Sequence, residues 1–190
     1  NGNYAVPDKN KKGEVTFQDL LVEYAKFLND LVDCRNIRPL KVVIDAGNGM
    51  AGHTAPKIFA NLPIEVIPMF FELDGTFPNH EANPIDAANL VDLQSSVRSN
   101  QADLGLAFDG DADRCFLVDE KGDVVDPSLL SALIAQREIA KHPGANVIYS
   151  LISSRIVPEV ILANGGTPLR SRVGHSFIKA MMAESGAVFA

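Results

Sequence analysis

Tryptophan is absent from the chain, and cysteine occurs only twice, as Cys34 and Cys115, far apart in sequence. Two such cysteines build neither a disulfide framework nor a thiolate metal cage, so a reducing compartment, the cytoplasm, is the expectation. Positive charge is also scarce, with 17 Lys and Arg against 24 Asp and Glu. A chain of net charge −7 has no general attraction for nucleic acid or anionic lipid, so neither is an expected partner and any phosphate must be met locally. No apolar run approaches the roughly 20 residues that span a bilayer, and the first residues lack the apolar stretch of a signal peptide. No G-x-S-x-G, H-E-x-x-H or paired-Cys motif is present, which removes support for hydrolase or zinc chemistry. What remains is ordinary globular composition, with room for one large or two small cores. The chain starts without Met and stops in Gly186-Ala187-Val188-Phe189-Ala190, which reads as a small apolar strand with no closing turn, and it is expected to be a piece of a longer protein.

Strand and helix signals alternate along the sequence. Phe17, Leu20, Leu21, Tyr24, Phe27, Leu28 and Leu31 recur at three- and four-residue spacing behind Thr16 and Asp19, which suit a helix cap. Leu40 to Asp45 predicts a buried strand feeding a tight turn at Ala46-Gly47-Asn48-Gly49 and a helix over 52–61; 64–71 predicts a second strand. The stretch 72–84 is rich in Gly, Pro, Asn and Asp and reads as a long loop. A helix over 86–100, a strand over 104–108, a hairpin at 115–125 and a helix over 127–141 follow. Then come strand 146–151, helix 153–164, strand 167–173, helix 176–185 and a strand from 187. This rhythm predicts an α/β fold: two consecutive units with mainly parallel mixed sheets flanked by helices, divided between Asp119 and Pro127.

The densest chemistry lies in L-A-F-D-G-D-A-D-R-C-F-L-V, residues 106–118. Asp109, Asp111, Asp113 and Glu120 fall at positions 1, 3, 5 and 12 of a calcium loop, but Arg114 replaces the required glycine at position 6 and the flanks are strand-like rather than helical. A solvated acidic turn is the plain alternative, although three crowded carboxylates raise one another's pKa unless a cation compensates. The third reading is a magnesium site. Hard carboxylate oxygens suit Mg²⁺, and the planar guanidinium of Arg114 could take a pair of phosphate oxygens beside it. The loop also leaves the carboxyl end of a predicted strand, where ligands of open α/β sheets bind.

Gly47-x-Gly49-x-x-Gly52 has dinucleotide-binding spacing, with Glu72 and Asp74 further on, yet Asp45 and Pro56 fit that reading poorly. Glycines that supply positive φ and close packing in a strand-to-helix turn are the stronger explanation of the spacing. His175, behind Gly174, could present its ring to a ligand or make a local hydrogen bond, and Ser153, Ser154 and Arg155 could hold an anion or cap a helix.

Four stretches in order, V-V-I-D-A-G-N-G-M-A-G (42–52), F-P-N-H-E-A-N-P (77–84), G-L-A-F-D-G-D-A-D-R (105–114) and G-G-T-P with R-V-G-H-S-F-I-K (165–179), resemble the α-D-phosphohexomutases, above all the bacterial phosphomannomutase/phosphoglucomutase group. The resemblance covers nearly the whole chain. It implies that 1–15 are the tail of a first domain, 16–125 a second, metal-binding domain, and 126–190 most of a third, sugar-binding one. It implies Mg²⁺ on Asp109, Asp111 and Asp113, completed by a phosphoserine in domain 1. Arg114 would approach that phosphate as a catalytic residue, and Gly174 and His175 would belong to the sugar-binding loop. The implied activity is a phosphosugar mutase that moves phosphate between O6 and O1 of a hexose through a bisphosphorylated sugar. Its partners would be the phosphosugar and domains 1 and 4, without which the chain alone is expected to be inactive. Ile152 stands where many members carry a lysine near the substrate, a departure from the pattern. A phosphoglucosamine mutase and a non-catalytic divalent-metal-binding module are the alternatives.

Overall fold

The computed structural model describes residues 13–32, 34 and 36–190; most of the expected 1–15 tail therefore lies outside the described residues. The first sheet has four strands in the order β2-β1-β3-β4: β1 Leu40–Asp45, β2 Ile64–Met69, β3 Leu104–Phe108 and β4 Cys115–Val118. β1 pairs parallel with β2 and β3, whereas β4 runs antiparallel to β3, with Gly105 opposite Val118 and Phe108 opposite Cys115. The helices are α1 Leu21–Leu31, α2 Ala51–Phe59 and α3 Val91–Asn100, the last preceded by a 3₁₀ turn, Ala87–Leu90, where Asp86 accepts from the Ala88 N–H.

β1 is an inner strand covered by helices on both faces, which is why its run is apolar on both. Val43 turns toward α3 with Leu93, Val97 and Val118, while Val42 and Ile44 turn toward Ala55 of α2. Leu93 and Val97 are completely buried. Truncating Leu93 to alanine is expected to cost on the order of 2–5 kcal/mol, read as a fall in the denaturant midpoint.

The second unit has a parallel pair, β5 Asn146–Ser150 and β6 Thr167–Ser171, with α4 Pro127–Lys141, α5 Ile156–Ala163 and α6 His175–Ser185 around it. Its core joins Ala135, Ile139, Val147, Val157 and Ile161. The expected mixed α/β architecture with mainly parallel pairing is what the structure contains. Among the described residues no helix is long and apolar enough to cross a membrane.

Three local readings need correction. The apolar repeat at the start becomes α1, but its stripe of Phe17, Leu20, Tyr24, Phe27 and Leu31 is exposed, and only Ala25 is buried. The opposite side meets α2, where Asn29 Nδ2 donates to the Ile58 carbonyl at 3.0 Å. The hairpin after β4 closes through a single bridge, Val118 to Val124, and the last strand through another, Val147 to Phe189. Helix 153–164 starts later, because Ser153 Oγ turns back to accept from the Ser150 N–H at 3.2 Å.

Candidate metal-binding site

Because β1, β2 and β3 are parallel, their carboxyl ends lie along one edge of the sheet, and three connections meet there: the turn 46–50, the loop from Phe70 to Pro84, and the acidic loop 109–114. The acidic loop is the connection of the β3–β4 hairpin. This disposes of the calcium-loop reading, which requires helices on both sides.

Within the loop, the Ala112 N–H donates to the Asp109 carbonyl at 3.1 Å and Ala112 has φ +62. A left-handed alanine costs about 1–2 kcal/mol, so the surrounding contacts must hold it. Asp109 is 1% exposed, while Asp111 and Asp113 are exposed, yet one carboxylate oxygen from each lies within 4.8 Å of the others. Asp109 Oδ1 accepts from the Arg114 backbone N–H at 3.1 Å, and Oδ2 accepts from Arg114 Nε at 2.5 Å. Arg114 Nε also lies 3.7 Å from Asp113 Oδ1. The guanidinium is thus anchored through Nε, and the Arg114 side chain is 48% exposed.

The charges pull in opposite directions. Burial would raise the Asp109 pKa, but the hydrogen bonds from the Arg114 N–H and guanidinium outweigh it and hold the carboxyl below its ordinary value. Asp113 is pushed up, chiefly by the neighbouring Asp111 charge. Two crowded, exposed carboxylates beside a buried, ionised one form an all-oxygen donor set whose repulsion a hard divalent cation would relieve. The residues present therefore fit Mg²⁺ on donor chemistry and charge.

The glycine-rich turn packs against this loop. Gly47 and Asn48 have φ +50 and +59, so the chain reverses sharply. A Cβ on Gly49 would stand 2.7 Å from the Gly110 carbonyl oxygen, and the Met50 N–H donates to that oxygen at 3.0 Å. The second glycine thus allows close backbone approach, as in a nucleotide fold, but the backbone it meets is the acidic loop's own. A cavity of about 410 Å³ opens beside it, lined by Tyr24, Met50, Phe59, Phe108 and Asp111 among others.

The pairing of Asp45 with His80 was not foreseen from the sequence. Asp45 is fully buried, accepts from the Gly47 N–H at 2.8 Å and lies 3.0 Å from His80 Nε2. His80 Nδ1 lies 2.9 Å from the Glu81 carbonyl, which can only accept, so Nδ1 carries hydrogen. The Nε2 contact then requires one further proton, on the ring or on the carboxyl. Burial pushes Asp45 up; burial lowers His80, but its bonds to Glu81 and Asp45, with Asp92 nearby, raise it overall. The His80 contribution is complete below the ordinary imidazole value of 6.5 and fades as pH rises through the elevated one. Thermal melts are expected to show lower stability at about pH 8 than at about pH 6, with a smaller difference in His80→Gln. The signal was present in sequence as an Asp at a strand end and a His in a Pro- and Asn-rich loop, but nothing local pairs residues that far apart.

Gly174 and His175 lie in the second unit, at the carboxyl end of β6. Gly174 has φ +128 and caps α6, its carbonyl accepting from Phe177 and Ile178, and His175 is the exposed first residue of that helix. Arg172 stacks on Phe177, 3.2 Å from the ring centroid. Among the described residues no hydrogen bond or ion pair joins Gly174 or His175 to the acidic loop; Ser153 Oγ accepts from the Ser150 N–H, Ser154 Oγ accepts from the Ile156 N–H at the start of α5, and the Ser154 N–H donates to Ser128 Oγ. Ile152 is 79% exposed.

Comparison with known proteins places this geometry. Residues 22–122 match the model of "Phosphoglucomutase/phosphomannomutase, alpha/beta/alpha domain II", and residues 126–190 match that of domain III. The chain is similar to a phosphomannomutase/phosphoglucomutase of Pseudomonas aeruginosa, 42% identical over 178 residues that make up 94% of this chain and 38% of that protein. A phosphoglucomutase of Neisseria meningitidis is 40% identical over 95% of this chain and 39% of its own length. A crystal structure of a phosphoglucomutase/phosphomannomutase family protein from Burkholderia thailandensis superposes with a TM-score of 0.84 at 37% identity, covering 89% of this chain and 36% of that one. The chain thus spans well under half the length of the relatives it matches. With two consecutive family models covering most of its length, the chain belongs to the phosphoglucomutase/phosphomannomutase family, within the α-D-phosphohexomutases.

Proposed function

We propose that this chain is the metal-binding and sugar-binding middle of a phosphosugar mutase that interconverts hexose 1-phosphate and hexose 6-phosphate, mannose and glucose being the candidate sugars. The observation that carries the reading is the hairpin loop that gathers one carboxylate oxygen each from Asp109, Asp111 and Asp113 within 4.8 Å, with Arg114 beside them. In this reading 16–125 form the metal-binding domain and 126–190 most of the sugar-binding domain.

Asp109, Asp111 and Asp113 would hold Mg²⁺, whose chemistry, when bound, is to polarise phosphoryl oxygens and neutralise their charge. Asp109 supplies a fixed, ionised carboxylate because Arg114 holds it. Arg114, its side chain about half exposed, would use its outer nitrogens to pair with the oxygens of a transferring phosphoryl group. Catalysis in phosphoryl transfer is mostly such positioning and electrostatics, and a preformed Asp109–Arg114 unit needs little reorganisation during the reaction. Gly174, free of a side chain at a positive φ, lets the β6–α6 loop turn so that His175 stands at the head of α6, where its ring is open to a sugar hydroxyl.

The phosphoserine that completes the site and the phosphate-binding fourth domain would come from other parts of the full-length polypeptide, in the cytoplasm. A coupled assay of that polypeptide with mannose 1-phosphate, glucose 1-phosphate and glucosamine 1-phosphate tests the reading. Turnover of the first two supports it, and preference for the third assigns a phosphoglucosamine mutase. The 190-residue chain alone is expected to show no turnover.

A further inference from the structure

The acidic loop does not stand alone at the edge of the sheet. Gly110, between two of the three aspartates, is held from behind by the turn 46–50, through the Met50 hydrogen bond and the side-chain-free face of Gly49. That turn contains two consecutive left-handed residues, Gly47 and Asn48, a conformation that persists only where the surroundings over-determine it. Beside backbone bonds to Met69 and Phe70, the loop 72–84 supplies three contacts to Asn48. Asn48 donates to the Glu72 carbonyl at 2.9 Å and accepts from Asn79 Nδ2 at 2.8 Å, and its own carbonyl accepts from the Asp74 N–H at 3.1 Å. The adjoining residue of the loop, His80, reaches under the turn to the buried Asp45, its ring edge-on to Phe70 with centroids 5.3 Å apart.

We propose that Asp45 and His80 are positioning residues for the metal site: together they form a buried strut that fixes the turn 46–50 and, through Gly49 and Met50, the backbone of Gly110 from which the three aspartates are presented. The inference rests on the metal reading of the acidic loop and assigns a purpose to the otherwise unexplained loop 72–84. Neither residue touches the acidic side chains, so their effect is transmitted through backbone. Groups that orient metal ligands from outside typically change affinity by about 10- to 100-fold when removed.

The test uses the full-length protein with Mn²⁺ as an electron-spin-resonance probe, together with amide hydrogen exchange at Ala112 and Arg114. His80→Phe keeps a ring against Phe70 but removes both nitrogens; it is expected to raise the Mn²⁺ half-saturation about tenfold and to speed exchange at both amides about tenfold. His80→Gln, which restores an amide donor facing Asp45, should return both readouts to within about threefold of wild type. If His80→Phe does not fold, Asp45→Asn carries the same expectation. A purely structural contact would lower the melting temperature and leave the Mn²⁺ affinity of folded protein unchanged, and that result overturns the proposal. Asp111→Asn separates this outcome from failure of the metal reading. If it loses Mn²⁺ while His80→Phe retains it, only the strut is wrong. If Asp111→Asn binds as wild type does, the metal reading fails, and unchanged exchange in His80→Phe then overturns the strut as well.

Discussion

Asp111→Asn in the full-length protein is expected to reduce mutase turnover by at least about 100-fold while leaving the melting temperature no lower than wild type. The two halves of that prediction have one cause. Asp111 is exposed and its charge is the main reason the Asp113 carboxyl is pushed up, so neutralising it relieves repulsion in the metal-free loop. On the proposed metal reading, the same change also removes a ligand and the charge that would draw a cation. A residue retained only for folding would show the opposite pairing, stability falling with activity. Turnover by coupled assay and melting by calorimetry, on the same preparation, decide between them.

Gly52→Ala is expected to have the largest effect on stability, about 3 kcal/mol or more. Gly52 lies in the first turn of α2, and a Cβ there would fall 2.2 Å from the Phe71 carbonyl oxygen and 2.7 Å from its Cα. These are backbone atoms two residues past the end of β2, which cannot rotate away, so either α2 lifts from the sheet or the chain after β2 shifts. Gly75→Ala is the control. Nothing lies within 4 Å of its Cβ position, and its midpoint should stay within about 0.5 kcal/mol of wild type. Equal loss in the two variants would mean that backbone flexibility, rather than close packing, is what Gly52 supplies.

Much of this was legible in the residues. The bounds of β1, β3 and α4 follow from apolar runs and from Pro127 at a helix start. The acidic loop could be located by composition alone, and strand-like flanks argued correctly against a calcium loop. The spacing of Gly47, Gly49 and Gly52 announced a tight strand-to-helix turn, but spacing does not say what approaches the glycines, and here it is Gly110 and Phe71. Asp45 looked misplaced in sequence because its partner, His80, comes from the far end of the next strand and loop. The stripe of α1 shows the limit of periodicity: it establishes that one helix face is apolar and says nothing of which side meets α2. Of the two serines readable as anion holders or as caps, Ser153 turns its hydroxyl back to the Ser150 N–H and Ser154 accepts from the Ile156 N–H at the start of α5.

On the proposed function, the carboxylates of Asp109, Asp111 and Asp113 bind a divalent metal that the mutase reaction needs. The most direct test of this claim is the turnover of glucose 1-phosphate by the EDTA-stripped full-length protein as Mg²⁺ is added back. The expected result is negligible turnover without metal and saturable restoration by Mg²⁺. Full turnover in the metal-free protein would contradict the account.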